Sequence, residues 1–356
     1  MVFCRADLSA GHAYMCPFST TPGGENNSRN ASLGSPCPPP YGPSRSVGHM
    51  HGAPIIQPKD ASMPVQSPLS RSTVISRLRA AGCVFAEDEA DLLLSAGLAF
   101  DGLRHAVQRR VDGFPLEHIL GWAEFCGLRI RVEPGVFVPR RRTELLVREA
   151  AAILGAAGSG PAESAGSAGS EPAEPTGPAG ITPPVLPSMP PVVVDLCCGS
   201  GAVGTALAIW VPGMEVHASD VDPAAVQCAR RNVVPAGGAV HEGDLYSALP
   251  ARLRCSVDIL AVNAPYVPTE SISSMPHEAR VHEPRVSLDG GPDGLDIQRR
   301  VTAEAADWLR PGGHLLIETS RLQAPHTAAA MVDGGLSPRI ATSAELDATV
   351  VIGQLL

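Results

Sequence analysis

The sequence predicts an α/β protein built on a doubly wound sheet of seven strands, with a small N-terminal helical domain and a β-hairpin connection ahead of it. Three features predict this. From 191 onward, short apolar runs at Val192, Val216, Val240, Ile259 and His314 to Glu318 alternate with helical patterns over 224–232 and 298–309. Such alternation gives parallel strands with helices on both faces. Val257 to Val262 is apolar apart from Asp258, as expected of a strand buried on both sides. Val192 to Gly204 reads as strand, glycine-rich turn and helix start, a place where a ligand can approach backbone amides. The segment from Ile340 to Ile352 supplies the last two strands, with Leu346-Asp347-Ala348 near their turn.

At 356 residues the chain has room for two or three domains. Its formal charge of −9 argues against non-specific nucleic-acid binding, which needs a basic face. Lys59 is the only lysine, which fits coding bias rather than a binding signal. The nine cysteines contain no C-x-x-C pair, so neither a metal site nor a disulfide framework is expected. No stretch has the length of a membrane span, and Met1 to Met15 lacks the apolar core of a signal peptide. The expectation is a reduced, soluble, cytoplasmic protein, most simply a monomer.

Residues 1–70 are rich in Pro, Gly and Ser, too poor in apolar periodicity to offset ordering entropy, and are expected to be a disordered tail. Met63 is a candidate true start. Residues 71–121 predict short helices. Ser72 or Thr73 caps the first, Val74, Ile75 and Leu78 face inward, and Gly82 ends it. Helical patterns follow at 88–94 and 103–111, and Asp112-Gly113 breaks the run before Pro115. Over 122–154, Leu128, Ile130 and Val132 alternate as a half-buried strand, Pro134-Gly135 turns, and Val136-Phe137-Val138 returns as its partner. A connecting helix is expected over 145–154. Arg140-Arg141-Arg142 is either a solvated turn or a contact with an RNA- or carboxylate-bearing partner or the catalytic domain. Residues 155–190 form a low-complexity flexible linker, and 191–356 the sheet domain.

Gly199, Gly201 and Gly204 fit G-x-G-x-x-G, which alone does not choose a cofactor. Asp195, four residues before the first glycine, is awkward beside a pyrophosphate and tolerable beside the ammonium of a methionine moiety, so S-adenosylmethionine is favoured over a nicotinamide dinucleotide. Asp220 ends the second strand, where an acid binds ribose hydroxyls, or else caps the helix at Asp222-Pro223. Asp244 follows the third strand and is placed for the adenine edge, or is itself a cap. Cys197 and Cys198 are small packing residues in the turn. Beyond Val262 the chain presents Asn263, the Ala264 carbonyl, the rigid Pro265 and the Tyr266 ring. Two acceptors and a flat face suit a planar group bearing an NH2.

Asp195 to Gly204 with Asp220 resembles the class I S-adenosylmethionine-dependent methyltransferases, with their Rossmann-like sheet. Asn263 to Tyr266 resembles the Asn-Pro-Pro-Tyr motif of those that methylate planar amino or amide nitrogens. Pro115 to Gly121, Phe125 to Leu128, Pro139-Arg140 with Thr143-Glu144, and Glu283-Pro284 with Gly290 to Asp296 are similar to the protein-(glutamine-N5) methyltransferases of the HemK/PrmC type. The likeness runs from about Ser72 to the end, apart from the linker. It implies methyl transfer to a glutamine of a release factor (Gly-Gly-Gln) or a ribosomal protein. It also implies that the helical domain recognises substrate, that Cys197, Gly199, Gly201 and Asn263 join the cofactor site, and that Asn263, Ala264, Pro265 and Tyr266 are catalytic.

Three departures stand out: Ala264 for the first proline, Cys197 for the first glycine of the cofactor loop, and Arg141 with Arg142 for a less basic pair. They resemble an actinobacterial paralogue group. On this reading Asn263 Oδ1 and the Ala264 carbonyl accept the two amide protons, and the ring face of Tyr266, rather than its hydroxyl, holds the amide plane. Two rivals remain at this point. One is an adenine-N6 methyltransferase of nucleic acid, disfavoured by the acidic charge. The other is a non-catalytic cofactor-binding paralogue.

Overall fold

The computed structural model describes residues 69–158 and 189–356. The expected tail, the Met63 start and the body of the linker lie outside the described residues.

Four helices open the described chain: α1 (Arg71–Ala80), α2 (Ala86–Ser95), α3 (Phe100–Val111) and the single turn α4 (Leu116–Leu120). The cap of α1 is Ser70, whose side chain accepts from the Thr73 amide at 3.2 Å; Ser72 and Thr73, expected as caps, lie inside the helix. Val74, Leu78, Ala90, Leu93, Val107 and Leu116 form one apolar centre. Beside it, the Arg110 guanidinium meets Glu89 through Nε at 2.6 Å and Nη2 at 2.9 Å, with both side chains buried.

The hairpin is tighter than expected. Strands β1 (Trp122–Phe125) and β2 (Leu128–Arg131) pair antiparallel around Cys126-Gly127, whose φ values are 53° and 74°. Two positive φ values match the right-handed twist of the flanking strands, so the local closure wins. Val136-Phe137-Val138 therefore joins no ladder. It belongs to a strap over 132–140 that turns at Pro134-Gly135 and is tied down where His118 Nε2 meets the Val136 carbonyl at 2.9 Å.

Helix α5 (Glu144–Gly158) leads to the sheet elements: β3 (Val192–Leu196), α6 (Ala202–Trp210), β4 (Glu215–Asp220), α7 (Pro223–Val233), β5 (Ala239–Glu242) and β6 (Val257–Val262). These are followed by α8 (His277–His282), α9 (Asp296–Trp308), β7 (Leu309–Thr319), α10 (Ala324–Asp333), β8 (Leu336–Ser343) and β9 (Ala348–Leu355). The strand order is β5-β4-β3-β6-β7-β9-β8. β3 to β7 run parallel, and β9 is antiparallel to both neighbours. This is the seven-stranded, doubly wound sheet that the sequence predicts.

Two boundaries move. Helix α9 stops at Trp308, and Arg310-Pro311-Gly312-Gly313 lies within β7 as a bulge: β6 advances from Val257 to Ile259 while β7 advances from Leu309 to His314. The sheet unit also begins before the linker, because Leu146, Val147, Ala150 and Leu154 of α5 share a core with Val193, Leu207 and Ile259. The opposite face buries Val194, Leu196 and Leu260 with Val301 and Ala305 of α9. The described residues, 69–158 and 189–356, fall in one compact unit. No described helix is long and apolar enough to cross a membrane.

Candidate active site

The strand order reverses between β3 and β6, which point the same way from adjacent positions. Crevices for ligands open at the carboxyl ends of such a pair. The register Leu196↔Val262 sets Cys197, where the glycine turn begins, beside Asn263, where the Asn-Ala-Pro-Tyr loop begins. Two stretches far apart in sequence are thus delivered to one crevice by pairing alone.

The glycine turn is fastened from below. Asp195 Oδ2 accepts the Gly204 amide at 2.8 Å, and Asp220 Oδ2 accepts the Gly199 amide at 2.8 Å. Gly201 has φ 74° and packs so closely on α7 that a Cβ there would lie 2.6 Å from Val233 Cγ2. Helix geometry leaves the Ala202 and Val203 amides at the start of α6 without intrahelical partners.

Asp195 is only 1% exposed, so it acts on the loop from beneath. The sequence reading sets it beside the ligand's ammonium; in the structure its Oδ2 is taken by the Gly204 amide. Burial first, and the nearby Asp220 charge, push its carboxyl up to about 7 against the pull of the Gly204 hydrogen bond. Asp220 also accepts the Asp222 amide at 2.9 Å, and each of its oxygens keeps a lone pair for a hydroxyl. The cap of α7 is Asp222, not Asp220. Asp244 stands exposed beyond β5 and pairs with Arg300 of α9 at 2.6 Å; it makes no side-chain capping bond. Cys197 has φ 57°, a left-handed backbone that favours glycine, and burial pushes its thiol well up. It is a packing residue rather than a nucleophile.

The Asn-Ala-Pro-Tyr loop is clamped by backbone. The Val267 amide donates to the Leu288 carbonyl at 3.0 Å, the Gly290 amide to the Val267 carbonyl at 2.9 Å, and Gln323 Nε2 to the Tyr266 carbonyl at 2.9 Å. A Cβ on Gly290 would sit 2.7 Å from the Pro265 oxygen, and one on Gly294 2.3 Å from the Tyr266 oxygen. That close approach is why Gly290 to Gly294 is rich in glycine. Ala264 is 1% exposed, its methyl seated in the core below the loop. The φ restraint lost with proline is replaced by this packing and the clamp. Asn263 Oδ1 and the Ala264 carbonyl accept no hydrogen bond among the described residues.

Behind the loop lies a buried polar line that sequence reasoning missed in part. Asn263 Nδ2 donates to Thr143 Oγ1 at 3.2 Å. Thr143 is hydrogen-bonded to Glu318, at the end of β7, and Tyr266 Oη donates to Glu318 Oε1 at 3.2 Å. The Tyr266 hydroxyl is therefore engaged, a bond additional to the ring face that the sequence reading invokes. Burial pushes the Tyr266 phenol well up and also raises Glu318, against the Thr143 hydrogen bond and the Arg142 charge. Glu318 Oε2 is buried without a partner, a loss on the order of 1–3 kcal/mol. Glu318 carried a readable signal, a lone acid closing an apolar strand next to β6. Thr143 carried none beyond its place in the strap. Of the three arginines, Arg140 pairs with the buried Glu283, Arg141 with Glu345 at 3.2 Å, and Arg142 acts electrostatically on Tyr266 and Glu318. The triple arginine contacts the sheet unit, one of the readings the sequence left open.

Residues 184–291 match the family model described as methyltransferase small domain. The chain is 35% identical over 214 residues to a release factor glutamine methyltransferase of Moorella thermoacetica, covering 60% of this chain and 64% of that protein. It is 32% identical over 287 residues to a release factor glutamine methyltransferase of Bradyrhizobium diazoefficiens, covering 74% of this chain and 87% of that protein. The chain belongs to the release factor glutamine methyltransferase family. A 4-amino-L-phenylalanine/4-methylamino-L-phenylalanine methyltransferase of Streptomyces pristinaespiralis is 35% identical over 246 residues, covering 69% of this chain and 74% of that protein.

S-Adenosylmethionine is the methyl donor that membership of the release factor glutamine methyltransferase family brings, and the residues present fit it. Asp220 ends β4 and Asp244 follows β5, acceptors suited to hydroxyls and unsuited to a pyrophosphate. A Cβ on Gly199 would meet only Phe137 Cβ, at 3.9 Å, so that part of the turn is open to close approach. No group of three metal-ligating side chains occurs among the described residues.

Proposed function

We propose that this chain transfers a methyl group from S-adenosylmethionine to the side-chain amide nitrogen of a glutamine in a protein of the translation machinery, with the Gly-Gly-Gln loop of a release factor as first candidate. A single observation carries the reading. Two acceptors, Asn263 Oδ1 and the Ala264 carbonyl, are unclaimed within a rigid loop beside the glycine turn. They match the two N–H bonds of a primary carboxamide.

Bound S-adenosylmethionine supplies an electrophilic methyl on a sulfonium. Gly199, Gly201, Asp220 and Asp244 are the residues to hold it, with Asp195 fixing the turn. Asn263 and Ala264 accept the amide protons, which orients the nitrogen lone pair and drains charge from the forming N–C bond. Tyr266 holds the loop wall against which the amide lies flat. Rate comes from alignment and exclusion of water rather than from a general base, since the proton leaves after the methyl is attached. The helical domain is the natural candidate to grip the protein substrate, in the cytoplasm and with the enzyme as a monomer.

Radiolabelled S-adenosylmethionine with an unmethylated release factor tests this. One added methyl on the Gly-Gly-Gln glutamine, located by peptide mapping, is the expected result. A second reading draws on the aminophenylalanine methyltransferase relative, because an aromatic amine is also planar with two N–H bonds. Label in 4-aminophenylalanine and none in the release factor would favour it. Label in adenine of an oligonucleotide would favour the nucleic-acid reading, and cofactor binding with no acceptor in any extract the non-catalytic one.

A further inference from the structure

We propose that Glu318 is a positioning residue for methyl transfer, holding Thr143 so that Thr143 fixes the Asn263 carboxamide with Oδ1 toward the crevice. This rests on the amide-methylating reading above.

A carboxamide has two ends of nearly the same shape, and only the oxygen can accept a substrate N–H. A loop that presented Nδ2 instead would oppose donor to donor. The backbone clamp fixes where Asn263 sits but not which end of its amide faces outward. The polar line behind the loop does. Thr143 is 2% exposed and has one proton to give. Thr143 gives that proton to the Glu318 carboxyl, 1% exposed, a bond that favours the ionised acid against the burial that raises it. Thr143 Oγ1 is left as an acceptor, and the contact at 3.2 Å must then be filled by Nδ2 of Asn263. Oδ1 is turned to the open side as a consequence.

The same carboxylate takes the Tyr266 hydroxyl at 3.2 Å. One acid on β7 thus orients the amide and anchors the ring of a loop that leaves β6. Its unpartnered Oε2 shows that the acid is kept despite an incomplete set of hydrogen bonds. A purely packing role would be met by an apolar residue at that depth.

Thr143→Val keeps shape and removes the hydroxyl; Thr143→Ser keeps the hydroxyl. With S-adenosylmethionine and an unmethylated release factor, Thr143→Val is expected to lower kcat about 100-fold, as for a misaligned reacting group. KM for the release factor and the calorimetric Kd for S-adenosylhomocysteine should hold, and Thr143→Ser should recover most of the rate. Glu318→Gln combined with Thr143→Val should cost no more than the larger single loss, because both act through one line. Wild-type kcat in Thr143→Val, failure of the serine to recover the rate, or losses that multiply would overturn the proposal. Thr143→Ala replaces the valine variant if that one does not fold.

If the wild-type protein leaves the release factor unlabelled, the functional reading falls, and a second measurement still decides the inference. The Asn263 side-chain amide protons, assigned by their loss in Asn263→Ala, should exchange slowly with water in the wild type and quickly in Thr143→Val. Equal exchange rates in the two would overturn it.

Discussion

Asn263 and Asp195 are both polar residues at a strand end, and the structure gives them opposite situations. Asn263 keeps an acceptor open to the crevice, whereas Asp195 spends its oxygen on the Gly204 amide. Asn263→Ala should therefore lower kcat by about 100- to 1000-fold, the usual cost of removing one transition-state acceptor or donor. S-Adenosylhomocysteine affinity by calorimetry should be nearly unchanged, and equal loss of both would mean that the loop is structural. Tyr266→Phe removes the bond to Glu318 but keeps the ring, so its loss in kcat should be measurable and smaller than that of Tyr266→Ala.

Asp195 makes a prediction in pH. Its carboxyl is held at about 7 in the fold, above its usual value in an unfolded chain. The folded state then binds the proton more tightly, so this group's stabilising contribution is present in acid and is lost as pH rises through about 7. Thermal melts of ligand-free Asp195→Asn, which keeps an acceptor for Gly204, should gain on the wild type as pH is raised from about 4 to about 8. A difference independent of pH would contradict this.

At the scale of elements, the loop after β6 owes its shape to the downstream segment Leu288 to Gly291, which bonds Val267 and Thr269. Gly294→Ala places a Cβ 2.3 Å from the Tyr266 oxygen at φ 77°, so either the clamp opens or the backbone moves. The variant should lose about 1–3 kcal/mol in denaturant melts and should lose kcat as well. Unchanged kcat would show that the clamp does not shape the site.

Legibility from sequence follows the range of the forces involved. The strands β3, β4 and β6 and the glycine turn were readable because apolar runs and glycines are local signals. The hairpin was misregistered because Leu128, Ile130 and Val132 alternate equally well with a partner on either side; only the two positive φ values at Cys126-Gly127 decide it. The Asn263 loop was readable as an acceptor pair. Its dependence on Thr143 was not, because that contact joins residues 120 positions apart.

At the scale of the whole molecule, charged and aromatic contacts join the helical domain to the sheet unit. Arg110 pairs with the buried Glu89 and also reaches Glu278 beside α8 at 2.9 Å, and the Phe114 and His282 rings lie 4.3 Å apart. Arg110→Ala leaves Glu89 buried without its cation, and about 3–5 kcal/mol of stability should go with it in chemical denaturation. Glu278→Gln, which keeps the internal pair, should cost far less.

Helix α5 is seated against α6, β6 and β9 by Leu146, Val147, Ala150 and Leu154, and the chain leaves it before re-entering at β3. Side-chain packing is what keeps that helix in place. Two polypeptides, 69–158 and 189–356, should for that reason reconstitute one enzyme when co-expressed, each completing an interior the other leaves open.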